Sequence, residues 1–495
     1  MKFNTLGILI SASILAGCSA KPTLISNEEM AAFVGTNGEQ VVANQEAVTG
    51  SIGLYEAMAR ALKYNLDYRV EMLNATLAAR AADVKSAAML PQVVAGSAYN
   101  ERSPTAGGYS RSLSTGLRSP DASTSSEKSS FNADITASWN ILDFGLSYVR
   151  AKQATDEALI AQERKRKIVN RIIEDVRTAY WRAVTAEQLL GGLQGLEGQV
   201  NGALANSRSL SHDGALAPLT ALSYQRELVD IRKQIHQLEL DLHTSKIQLA
   251  ALMNVPPGSA FKLVAPKRSG TSLSLKQSGE ELVELAMINR PELREALLKE
   301  RITAKEADAA LFELLPGAQI FGGANIDSND LLFNSNWVAW GAKASWNVMR
   351  LFQYPAIKKE NDARASLTRE QALAMTMAVF TQVHAARARY AQNSKILKDA
   401  SDYYDVQKKI LTQVRAAAAE NAESEQALIR EEMNTLLAEV KYDVAYADLQ
   451  NAFANVYSTV GLDPYADNMT GQESVKVMAK NLRGTWIERG DRSGT

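Results

Sequence analysis

Four histidines stand at His212, His236, His243 and His384. His236 and His243 are seven residues apart and would share one face of a helix, so a metal pair is one reading. Helical metal pairs more often use a spacing of three or four, because one turn brings such side chains together. Surface histidines are the competing reading, and no metal site is expected. Cys18 is the only cysteine, which rules out a cysteine metal cluster and an intrachain disulfide. Acidic residues recur along the chain without forming an isolated pair suited to acid–base work. There is no Gly-rich phosphate loop of the GxxxxGK[ST] kind and no plausible nucleophile–base motif. The residue types therefore argue against an enzyme, and no cofactor is expected. A formal net charge of −1 argues against a nucleic-acid partner.

Cys18 carries chemistry of another sort. Lys2 precedes a short run of apolar or small residues from Leu6 to Ala16, and Leu15-Ala16-Gly17-Cys18 follows. A charged start, a short apolar stretch and small residues before a cut site describe a secretory signal. The ending resembles the bacterial lipoprotein cleavage box. That resemblance implies a signal peptide over 1–17, a lipid such as palmitate on Cys18, and a lipidated linker over 18–51. Ser19 follows, not the Asp that retains enteric lipoproteins at the inner membrane. An ordinary signal peptide with a chance cysteine is the alternative. One lipid gives only modest membrane affinity, so a second membrane-binding feature is expected.

Four short segments supply it. Phe131, Ala133, Ile135, Ala137 and Trp139 alternate with Asn132, Asp134, Thr136, Ser138 and Asn140. Strict period two over ten residues is the pattern of a barrel strand with one face to lipid and one to water. Val338, Trp340, Ala342, Ala344 and Trp346 repeat it more weakly. Each has a partner opened by Leu-Pro: Gln92 to Asn100 after Leu90-Pro91, and Gly317 to Asn325 after Leu315-Pro316. Alternation in these partners is poor. Trp139, Trp337 and Trp346 suit a membrane interface. A small soluble sheet with buried tryptophans is the competing reading.

The surroundings repeat as well. Asn65 to Pro91 and Asn289 to Pro316 are nearly equal intervals, and Trp139-Asn140 recurs as Trp346-Asn347. Repetition at a period of about 200 residues implies duplication of a helix–strand–strand–helix unit. We assign the repeats to 52–257 and 281–464, with an inter-repeat segment at 258–280 and a tail at 465–495. The tail is expected to be partly disordered, or in part to wrap the outside together with Phe261 to Leu275. Long helices are predicted at 142 to about 207 and 355 to about 420, each near 100 Å at 1.5 Å per residue. Apolar residues at spacings of three and four, such as Ile168, Ile172, Val176, Tyr180 and Val184, suit packing in bundles. The shorter helices, about 52–89 and 218–254, would stack end to end beside a long one.

These features together resemble the TolC-like outer-membrane efflux and secretion channels, especially their lipidated OprM-like branch, from about Ile52 to Pro464. The resemblance implies an α+β membrane protein in which a long helical coiled-coil barrel carries four transmembrane strands per chain. A homotrimer would complete a 12-stranded barrel. It implies a passive duct from an inner-membrane transporter, through a periplasmic adaptor, across the outer-membrane lipid. A tripartite efflux pump and a type I secretion system both fit. The far tips should turn near Asn206–Pro218 and Arg415–Gln426. Some family members narrow that tip with a ring of Asp. Here the matching positions hold Ala427 and Arg430, with Glu420, Glu423 and Glu425 just before, so these four charged residues are the candidate gate. Solvated helix-end charges are the competing reading. The alternative function is a lipid-anchored periplasmic coiled-coil scaffold without a pore.

Overall fold

The computed structural model describes residues 24–212, 217–256, 259–265, 273, 275, 277–420, 424–462 and 473–489. After α1 (Asn27–Val42), the first unit runs α2 (Leu54–Tyr64), α3 (Leu66–Ala87), β1 (Gln92–Glu101), β2 (Ser129–Asn140), α4 (Ile141–His212) and α5 (Pro218–Leu252). The second runs α6 (Gly279–Asn289), α7 (Pro291–Phe312), β3 (Gly317–Asp327), β4 (Asn336–Ser345), α8 (Met349–Ala419) and α9 (Glu425–Thr459). The described chain closes with α10 (Val475–Glu488). Corresponding helices match in length, at 11 and 11, 22 and 22, 72 and 71, and 35 and 35 residues.

Each unit bends at one extended residue between its two short helices. In the first this is Asn65 (ψ 129°), whose side chain caps α3 by accepting the Tyr68 N–H. In the second it is Arg290 (ψ 124°), held extended because Pro291 disfavours a helical residue before it. Different chemistry therefore makes the same bend. Both bend residues also tie down the returning helix. Asn65 Nδ2 donates to the Leu252 carbonyl at 3.3 Å, and Arg290 Nη1 to the Thr459 carbonyl at 3.2 Å.

The returning helices end alike, on left-handed residues at Asn254 (φ 57°) and Gly461 (φ 73°). A Cβ at Gly461 would stand 2.6 Å from the backbone of Asn289. The left-handed conformation alone costs a side chain about 1–2 kcal/mol, and the clash adds to it. Gly461→Ala should therefore lower the midpoint of thermal unfolding, followed by circular dichroism, and an unchanged midpoint would contradict the packing described.

Near the sheet α4 lies between α3 and α7, with α8 beyond α7; toward the far tip it lies between α5 and α9. So α3 and α5 do stack beside the long helix. Its buried face joins two cores. One surrounds Val176, Tyr180 and Trp181 at mid-height, and the other joins Leu193, Leu196 and Val200 to Leu228 and Ile235 of α5 and Ile429 and Met433 of α9. The Tyr180 hydroxyl, pushed well up by burial, donates to the Val264 carbonyl at 2.6 Å and fixes the outer belt. In that belt Ile52 bridges to Leu263.

The two long helices run longer than predicted, at Ile141–His212 and Met349–Ala419. Pro355, the predicted start of the second, lies inside α8, where it removes one hydrogen bond but does not end the helix. The described part of the tail is helical. Met478, Leu482 and Trp486 of α10 are buried in the mid-height core, and the Arg177 guanidinium lies 4.5 Å over the Trp486 ring. Residues 1–23, including Cys18, lie outside the described residues, as do Glu423, 465–472 and 490–495.

Candidate functional site

The four strands form one antiparallel sheet in the order β1-β2-β3-β4. Its register sorts the side chains into two faces. Val93 pairs with Ala137, Ala95 with Ile135 and Tyr99 with Phe131. Trp139 pairs with Ile320 and Ile135 with Ala324, while Ile320 meets Ala342 and Ala324 meets Val338. All of these lie on one apolar face, which is open to the surroundings; Val338 is 74% exposed and Trp340 86%. The opposite face carries Gln92, Asn132, Asp134, Thr136, Gln319, Asn325 and Lys343. Strands of 10 to 12 residues are long enough to cross a bilayer when tilted. Val94, Phe321 and Trp337 are the large apolar residues on the polar face. Phe321 lies over Gly341, where a Cβ would approach its ring to 2.8 Å.

Trp346 corrects the sequence reading: β4 ends at Ser345, so Trp346 is not a strand residue. The opposite position is Pro316, which has no N–H to donate and so cannot extend the ladder. The indole N–H of Trp346 instead donates to the Leu314 carbonyl at 2.9 Å. Trp139 donates to the Met89 carbonyl at 3.1 Å. Each bond thus closes a strand pair onto its own Leu-Pro junction. The sequence held the signal, a Trp and a Leu-Pro recurring together, but alternation alone did not reveal it.

Among the described residues β1 and β4 pair on one side only. In hydrocarbon each unpaired backbone group costs several kcal/mol, roughly, so an open sheet edge cannot face lipid. The helices share the same order and the same open ends, α3 and α8. The exposed residues Leu66, Val70, Leu73, Leu77 and Val84 of α3 follow the alternating four-and-three spacing of a coiled-coil seam.

The far tip lies where α4 meets α5 and α8 meets α9. Glu420 caps the end of α8 and is exposed. Glu425 is exposed in the first turn of α9, which Ser424 caps by accepting the Ala427 N–H at 3.2 Å. Among the described members of the candidate gate, Arg430 is tied to another element. Its guanidinium grips Glu227 of α5 with two hydrogen bonds, of 2.5 and 3.0 Å, and Gln426 adds a third at 2.6 Å. The Arg430 bond holds the Glu227 carboxyl below its usual range. Glu227 was missed in the sequence, since it lies 203 residues from Arg430 and no local spacing joins them. Arg415 pairs with Glu432 at 2.9 Å, bracing α8 against α9.

His236 meets Glu197 of α4 at 2.9 Å, while His243 is exposed. Among the described residues no helix is long and apolar enough to cross a membrane.

Residues 57–255 match the family model of the outer membrane efflux proteins. No curated protein is a close enough match in sequence to count as a relative. Among solved structures, the CmeC outer membrane channel of Campylobacter jejuni is similar with a TM-score of 0.66 at 14% identity, over 89% of this chain and 94% of that one. The open state of the MtrE outer membrane channel of Neisseria gonorrhoeae gives 0.61 at 18% identity, over 85% and 95%. The outer membrane protein VceC of Vibrio cholerae gives 0.61 at 11% identity, over 82% and 96%.

Proposed function

We propose that the chain is an outer-membrane efflux protein, a reading supported by the match over residues 57–255 and by its fold, and that it works as a passive homotrimeric exit duct. It is a transport protein and not an enzyme, and its helices extend into the periplasm. The carrying observation is the four-stranded sheet with one lipid-compatible face and two open edges, running without change of order into helices with open edges of their own. Joining β4 of one copy to β1 of the next would satisfy both edges, and α8 would meet the α3 seam of the next copy. Three copies supply twelve strands, enough for an open lumen.

A periplasmic adaptor would meet the far tip, and an inner-membrane transporter would supply the energy. The assembly would be a tripartite efflux pump or a type I secretion system. A lipid on Cys18 would supplement the barrel as an anchor in the outer-membrane lipid. Glu420, Glu423, Glu425 and the Arg430–Glu227 pair would narrow the tip.

Light scattering on the detergent-solubilised protein should give three chains per particle, and planar bilayers should show discrete conductance steps. Well-folded trimers without conductance would instead support a periplasmic scaffold.

A further inference from the structure

The first helix is unaccounted for by the duct itself. None of the residues of α1 is buried, and it exposes Met30, Phe33, Val34 and Val41 at helical spacing along one side. A 16-residue helix containing Gly35 and Gly38 is marginal alone in water, so this side needs a partner. The root of α1 is fixed: Asn254 Nδ2 donates to the Val41 carbonyl at 2.6 Å, and Gln45 donates to the Asn254 carbonyl at 2.7 Å. Asn254 follows α5 and stands beside the first bend at Asn65, so α1 leaves the chain at the edge formed by α3 and α5.

We propose that α1 is a strap that lies along the sheet-side half of α8 of a neighbouring copy. The inference rests on the oligomeric reading above, since α8 is the edge that a neighbour would bring to α3. Three observations select this occupant. First, the interface is continuous: the root of α1 sits on the edge that must meet α8. Second, the charges match. α1 carries Glu28, Glu29 and Glu39 and no basic residue, whereas residues 349–390 of α8 hold seven Lys and Arg against three Asp and Glu. Third, the heights match. Arg290 bonds Gln382 at 2.5 Å, which places Gln382 at the level of the second bend, and the duplicated units put both bends at one level. Sixteen residues of α1 span about 24 Å at 1.5 Å per residue. Laid along α8 from its root toward the sheet, α1 would bring Phe33 beside Leu373 and Met377, both exposed in the single chain.

The membrane surface is a poorer occupant. The root of α1 is separated from the sheet by the whole of α3, which is about 33 Å long for its 22 residues, more than the length of α1.

The test co-expresses two full-length variants, Phe33→Cys on one tagged chain and Met377→Cys on another, with Leu373→Cys as a second partner. Mild oxidation should give a disulfide-linked pair carrying both tags, well above the background from the parent chain, whose only cysteine is Cys18. Phe33→Asp should shift trimer dissociation to lower temperature. Intact trimers with no linked pair at either α8 position overturn the strap and leave the duct untouched. Quenching of a Phe33→Trp variant by brominated lipid also overturns the strap, in favour of a membrane surface. Particles of one chain by light scattering overturn both readings.

Discussion

Ile135→Arg should abolish the trimer in the membrane fraction. Ile135 stands near the middle of β2, on the apolar face, opposite Ala95 and Ala324. An arginine facing lipid near the bilayer midplane costs about 2–4 kcal/mol. A barrel of three copies would bear that cost three times, roughly 6–12 kcal/mol, which is the whole stability of an ordinary domain. No side chain beside Ile135 offsets it, because both opposite residues are alanine. Thr136→Lys is the matched control one residue away. It faces the polar side, and Gly323 opposite leaves room for it. This variant should assemble normally and reduce the passage of cations, since three added positive charges would line the lumen. The readouts are the heat-resistant oligomer on a denaturing gel and the reversal potential in a salt gradient. If Ile135→Arg assembles like the parent and Thr136→Lys does not, the two faces are assigned the wrong way round.

The contrast between neighbouring residues also explains what the sequence disclosed. β2 was legible because each of its faces meets one solvent, and Phe131 to Asn140 record this residue by residue. β1 and β3 were not, because their polar-face positions include Val94, Ala98, Gly323 and Phe321, which blur the alternation. Their faces follow only from the register with β2. The bends were visible as a repeat, through Asn65 and Asn289-Arg290-Pro291, but not as a shared geometry, since a side-chain cap and a proline reach the same ψ by different routes. Helix ends were misplaced where the local signal and the packing disagreed. Pro355 reads as a start, yet the helix already exists upstream of it. The least legible features were contacts between segments far apart in the chain. Arg430 meets Glu227, and Arg177 meets Trp486, over separations that no periodicity encodes.

That long-range contact at the tip gives the second large effect. Arg430→Ala and Glu227→Ala should each raise single-channel conductance, and the double variant should raise it no further than either single one. The pair joins the second helical hairpin to the first, so either substitution removes the same tie. The effect belongs to function more than to stability. The Arg430 and Glu227 side chains are 47% and 34% exposed, and pairs this open contribute about 1 kcal/mol or less. The thermal midpoint should therefore hardly move while the tip loosens in all copies. Arg430→Lys should be intermediate, because an ammonium keeps the charge but cannot grip both carboxylate oxygens. The pH dependence follows from Glu227, whose carboxyl is held below its usual range by the Arg430 bond. A carboxylate depressed in the folded state stabilises above its unfolded value and loses that contribution as pH falls through the folded one. The clamp should hold at neutral pH and release only in acid, below the range where an ordinary glutamate takes up its proton. Parent conductance should then rise in acid, and the Arg430→Ala variant, already released, should lack that rise. Equal conductance in parent, Arg430→Ala and Glu227→Ala would remove the pair from the gate and leave the carboxylates of Glu420, Glu423 and Glu425 to narrow the tip.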